Sequence, residues 1–91
     1  MKVMVVEDDD SLRELIVDYL EAKGMEIIAY ENGLKAYEDY YHHNIDLALL
    51  DVMMPEMDGF ELCYKIKENS YLQIQIKLIL CLNLYLFNNF L

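Results

Sequence analysis

The residues that could do chemistry are carboxylates at two places: the run Glu7-Asp8-Asp9-Asp10, and Asp51 directly after Ile45-Asp-Leu-Ala-Leu-Leu50. Each follows an apolar run of the kind that forms a buried parallel strand. Ligands of open parallel sheets bind beyond the carboxyl ends of the strands, where strand order reverses. If the two strands are neighbours, Glu7, Asp8 and Asp51 converge, and their repulsion is costly unless a hard divalent cation sits among them. Oxygen donors alone favour magnesium or manganese over zinc. Taken alone, Glu7 to Asp10 reads more simply as a solvated helix start favoured by the helix dipole. Asp51 alone also suits the metal-positioning aspartate of a nucleotide hydrolase. That alternative lacks its other half, because no GxxxxGK[ST] loop precedes Asp51 and the only glycines are Gly24, Gly33 and Gly59.

The elements that must position these acids follow from periodicity. Lys2 to Val6 reads as a first strand. Ser11-Leu-Arg-Glu14 matches a capping box, and Leu12, Leu15, Ile16, Tyr19 and Leu20 then give a helical stripe that ends at Gly24. Met25 to Tyr30 predicts a second strand, Asn32-Gly33 a break, and Leu34, Tyr37 and Tyr41 a weaker helix. Ile45 to Leu50 predicts a third strand, and Asp58 can cap a helix carrying Phe60, Cys63 and Ile66. The βαβαβα alternation argues for a parallel sheet covered on both faces.

Composition excludes several functions. With 17 acidic against 7 basic residues and a net charge of -10, the chain opposes direct binding to nucleic acid or anionic lipid. An apolar content of 56% rules out a disordered acidic tail. Cys63 and Cys81 have no CxxC spacing, and the N-terminus is too short for a secretory signal, so a cytoplasmic location is expected. His42-His43 reads as a solvated pair and the tyrosines as half-buried packing residues.

Val5-Val6-Glu7-Asp8-Asp9-Asp10-Ser11-Leu12-Arg13 resembles the opening of response-regulator receiver domains, and Asn32-Gly33 falls where they carry the same pair. Leu49-Leu50-Asp51-Val52-Met53-Met54-Pro55-Glu56-Met57-Asp58-Gly59 is similar to their phosphorylation segment. The resemblance covers Met1 to about Ser70. It implies an α/β, flavodoxin-like, doubly wound parallel sheet of strand order 2-1-3-4, incomplete at its C-terminal end. It also implies a phosphoacceptor in two-component signalling, taking a phosphoryl group onto Asp51 from a histidine kinase or phosphotransfer protein. Asp8 and Asp51 would ligate Mg2+, with Mn2+ as a substitute, Glu7 would act through a water, and the backbone carbonyl of Met53 would complete the protein ligands. Such a module is not an enzyme turning over a free substrate. A magnesium-dependent phosphohydrolase would need a general acid, and none is evident near Asp51.

The remainder departs from the family. Residues 1–70 read as the receiver core. Tyr71 to Leu91 reads as a fourth strand around Ile74 to Leu80 followed by an atypical hydrophobic tail, with a single charge at Lys77 and no acid, Gly, Pro, Ser or Thr. The tail is too broken by Asn83, Asn88 and Asn89 for a transmembrane span and suits interface or self-association. Cys81 stands where the family carries a hydroxyl at the end of strand four. The ending predicts loss of the lysine after strand five and of any output domain, as in a truncated or out-of-frame product. The alternative function is therefore a non-signalling remnant that binds a kinase through the helix-one surface of Leu12 to Leu20 without relaying a signal.

Overall fold

Val3 to Val6 are buried on both sides of the sheet, which explains why Lys2–Val6 is an unbroken apolar run rather than an alternating one. In the computed structural model, which describes residues 1–51, 57–68 and 78–81, this segment is strand β1. It is joined by β2 (Glu26–Tyr30), β3 (Leu47–Leu50) and β4 (Leu78–Cys81) in one sheet of order β2-β1-β3-β4, every pair parallel. The order is the one expected from the sequence. Strands two and three begin one and two residues later than expected, and the fourth strand, Leu78–Cys81, overlaps the segment expected around Ile74 to Leu80, of which 74–77 lie outside the described residues. Asp46 joins β3 to the start of β1, its amide donating to the Lys2 carbonyl at 2.9 Å and its Oδ2 accepting from the Lys2 amide at 2.9 Å.

Helices α1 (Asp10–Ala22), α2 (Gly33–Asp39) and α3 (Gly59–Glu68) divide between the two faces. Met4, Val6, Ala48 and Leu50 meet Ala36, Tyr40, Leu62 and Ile66 on the face of α2 and α3. Val3, Val5 and Leu49 meet Ile16 and Leu20 of α1 on the other. The division follows from right-handed crossovers, because the step from β1 to β2 and the step back from β2 to β3 run in opposite directions across the sheet. Among the described residues no helix is long and apolar enough to cross a membrane.

Local chemistry corrects several expectations. The cap of α1 is Asp9, whose Oδ1 accepts from the Leu12 amide at 2.9 Å, and Ser11 lies inside the helix. The helix begins two residues earlier than the Ser11 capping box implied, because an aspartate directly before it can satisfy an orphan amide of the first turn. The helix ends as expected at Gly24 (φ 87°), with the Met25 amide donating to the Leu20 carbonyl and the Gly24 amide to the Glu21 carbonyl. Of the α1 stripe only Ile16 and Leu20 reach the core; Leu12, Leu15 and Tyr19 are 42%, 66% and 62% exposed. On α2 and the 3-10 turn after it (Tyr40–His42), Ala36 and Tyr40 are buried, while Leu34 and Tyr41 face out. On α3 the core residues are Leu62 and Ile66, and Phe60 is 51% exposed. These stripes are wider than the strip of helix that the sheet can cover.

Candidate functional site

Two strand ends build the site. Glu7 follows β1 and Asp51 follows β3, and the register that sets Val6 beside Leu50 brings them side by side. The Asp51 amide donates to the Val6 carbonyl at 3.0 Å, and the Glu7 amide donates to the Tyr30 carbonyl at 3.2 Å at the end of β2. Carboxylate oxygens of Glu7, Asp8 and Asp51 lie within 4.8 Å of one another. Glu7 and Asp51 are only 3% and 5% exposed, whereas Asp8 opens to solvent. The site residues inferred from the sequence are thus brought together, apart from Met53, which lies outside the described residues, as does Pro55.

Three acids at this spacing strain the electrostatics. Burial pushes the Glu7 carboxyl up to about 7, aided by the neighbouring carboxylates of Asp51 and Asp8, while a bond from the Asp9 amide to Glu7 Oε2 at 3.0 Å pulls the other way. Arg13 does not neutralise this carboxyl: it donates through Nη1 to the Glu7 backbone carbonyl at 2.8 Å and through Nη2 to Asp10 at 2.6 Å. Arg13 therefore shapes the acidic turn through the Glu7 carbonyl and Asp10, not through the Glu7 carboxyl. A buried, all-oxygen cluster of this kind suits a hard divalent cation, so the residues present fit magnesium.

Residues 3–81 match the sequence pattern of the response regulator receiver domain. The chain belongs to that family. Curated proteins align over most of it: a cyclic di-GMP phosphodiesterase of Thermotoga maritima is 49% identical over 70 residues, 77% of this chain and 18% of that protein. The transcriptional regulatory protein SrrA of Staphylococcus aureus is 39% identical over 69 residues, 76% of this chain and 29% of that protein. The chain therefore spans less than a third of the length of these curated relatives. Among solved structures, Vibrio cholerae CheY4 superposes with a TM-score of 0.78 at 29% identity, covering 86% of this chain and 63% of that one. Thermotoga maritima TrrA in complex with Mg(2+)-BeF gives 0.74 at 25% identity, covering 88% and 84%. The complex of histidine kinase ThkA with TrrA gives 0.76 at 34% identity, covering 87% of this chain and 66% of the matched chain. Receiver domains are signalling modules, and this receiver has their doubly wound parallel fold.

Other sequence candidates lie elsewhere. His43 is not a purely solvated residue: its Nε2 lies 3.1 Å from Asp39 Oδ2, an oxygen that also accepts from the Tyr30 hydroxyl at 2.6 Å. Those bonds hold the Asp39 carboxyl below the usual range, and burial together with Asp39 raises the Tyr30 phenol. His42 stays exposed with its ring 4.2 Å from that of Tyr41. Sequence reasoning assigned no task to Arg13. Its position four residues after the capping acid was the available signal, since one helical turn returns a long side chain to the start of the helix.

Proposed function

We propose that this receiver accepts a phosphoryl group on Asp51 from a histidine kinase in a two-component relay, with Mg2+ held by Asp8, Asp51 and the Met53 backbone carbonyl, and by Glu7 through a water. The observation that carries the reading is the convergence of Glu7, Asp8 and Asp51 at adjacent strand ends. Similarity to TrrA, solved with Mg(2+)-BeF and with the kinase ThkA, supports it. In the transfer an Asp51 carboxylate oxygen bonds to phosphorus as the bond from phosphorus to the kinase's imidazole nitrogen breaks, and the imidazole leaves with the electron pair. Magnesium held by these residues would supply neutralisation of the phosphoryl oxygens. Positioning and charge stabilisation carry most of the catalysis in phosphoryl transfer. The chain's own part is to fix Asp51 at the end of β3, exclude bulk water by burial, and hold Glu7 and Asp8 beside it.

The exposed stripe of Leu12, Leu15 and Tyr19 on α1 supports the kinase-facing surface. It also supports the second reading, a chain that binds a kinase without relaying a signal. Acyl-phosphate formation separates the two. With Mg2+ and a small phosphodonor such as acetyl phosphate, one phosphoryl group should add, be lost at alkaline pH, and fail to form in EDTA or in Asp51→Asn. Modification that persists in Asp51→Asn, or that maps to His42 or His43, overturns the assignment.

A further inference from the structure

Arg13 lies in the first turn of α1, yet its guanidinium reaches back to the residues before the helix. Helical side chains lean toward the helix N-terminus, so a long one at this place covers the turn that precedes it. The Arg13 side chain is only 20% exposed, and its two terminal nitrogens hold different partners. Nη1 donates to the Glu7 backbone carbonyl at 2.8 Å and Nη2 to Asp10 Oδ1 at 2.6 Å. The Arg13 amide donates to the Asp9 carbonyl at 2.9 Å, so backbone and side chain of one residue are tied to the same acidic turn.

The peptide unit decides what the Nη1 bond fixes. The last pair of the β1–β2 ladder is Val6 with Tyr30, and the Glu7 amide then donates to the Tyr30 carbonyl at 3.2 Å. Arg13 takes the carbonyl of the same residue. The Glu7 carbonyl lies in one plane with the Asp8 nitrogen and Cα, so anchoring Glu7 through both its amide and its carbonyl sets the direction in which the chain leaves for Asp8. Asp8 is the exposed member of the cluster, and its carboxylate lies with those of Glu7 and Asp51 because the backbone delivers it there. The other two carboxylates have supports of their own: the Asp9 amide on Glu7 Oε2 at 3.0 Å, and burial beyond the end of β3 for Asp51.

We infer that Arg13 is a positioning residue for the carboxylate pocket: its guanidinium fork sets the peptide between Glu7 and Asp8 and thereby raises the pocket's affinity for a divalent cation. The inference rests on the proposed function, which takes that pocket as a cation site. Its sign is the reverse of what charge alone dictates. A positive side chain beside three carboxylates repels a second cation, so an arginine acting only through its charge would lower the affinity, and its removal would raise it. An arginine needed only to hold α1 would, on removal, cost stability and leave the cation affinity of the folded molecules alone.

Electron paramagnetic resonance of free Mn2+, with circular dichroism to establish folding, separates these on the full 91-residue chain. Arg13→Met keeps an apolar stem and removes both donors and the charge. It should bind Mn2+ roughly ten-fold more weakly, the size of effect usual when the support of a metal ligand is disturbed. Arg13→Lys keeps the charge but lacks the planar fork that reaches the Glu7 carbonyl and Asp10 together. It should weaken Mn2+ binding in the same direction, and it decides the matter if Arg13→Met does not fold. Gly24→Ala, at the far end of α1, is the control: a φ of +87° makes alanine strained, but nothing lies within 4 Å of the added Cβ, so stability should fall and affinity should hold. Wild-type or tighter binding in folded Arg13→Met or in Arg13→Lys, or equal weakening in Gly24→Ala, overturns the inference. Failure of the wild-type chain itself to bind Mn2+ overturns the proposed function, and the inference with it.

Discussion

Glu7 carries the largest electrostatic tension in the pocket, and pH exposes it. Its carboxyl sits at about 7 when folded against an ordinary 4.5, chiefly because burial disfavours the charge. The folded state therefore holds a proton that the unfolded chain has already released, and between those two values stability falls as pH rises, by at most about 1.4 kcal/mol per pH unit. Denaturant unfolding in EDTA across that window should show the decline, and Glu7→Gln should flatten it, leaving the metal-free protein more stable above neutrality. A wild-type profile that is flat or rises through the window would show that Glu7 is not held neutral. The convergence of Glu7, Asp8 and Asp51 was legible because acids directly after strand-like runs gather at one edge of a parallel sheet. The task of Arg13 was not, since a bond to a backbone carbonyl leaves no compositional trace.

The strands were legible from apolar runs and their punctuation, and their order came with the family resemblance. The helical stripes were legible too, but not which of their residues turn inward. A 3.6-residue period identifies an apolar side, and the sheet covers only part of that side, so Leu12, Leu15 and Tyr19 on α1 and Phe60 on α3 lie outside. The distinction is measurable. Leu15→Glu should change stability by no more than about 0.5 kcal/mol, while Leu20→Ala, in the core beside Val3 and Val5, should cost roughly 2 kcal/mol or more. If Leu12, Leu15 and Tyr19 form the kinase-facing surface, Leu15→Glu should also slow phosphotransfer from a kinase without slowing phosphorylation by acetyl phosphate; equal slowing of both would remove that surface from consideration. At α1's start, Asp9→Ala should cost about 1 kcal/mol by freeing the Leu12 amide, whereas Ser11→Ala should be near neutral. The reverse ranking in thermal melts would restore Ser11 as the cap. At the other edge, β4 ends at Cys81 in register with Leu50, one residue before Asp51. The resemblance implies a hydroxyl residue at this place in the family, and a thiol is a weak donor. Cys81→Thr should therefore enlarge the hydrogen-exchange change that a beryllium fluoride adduct produces around 78–81. An unchanged response would show that the hydroxyl is not what limits transmission.

For the molecule as a whole, the net charge of -10 and the carboxylate pocket act in the same direction. Self-repulsion destabilises the compact state, and salt that shortens the screening length from ~30 Å to ~8 Å should stabilise it. Magnesium should exceed that general effect at equal ionic strength, because a cation bound only by the folded state adds its binding free energy to stability. The proposed function depends on the carboxylates at two adjacent strand ends acting as a single divalent-cation site. Paramagnetic broadening of amide resonances during Mn2+ titration tests it most directly. Broadening should begin at Glu7 to Asp9 and at Asp51 and should be lost in both Asp8→Ala and Asp51→Ala; the same broadening in either variant as in the wild type would contradict the pocket.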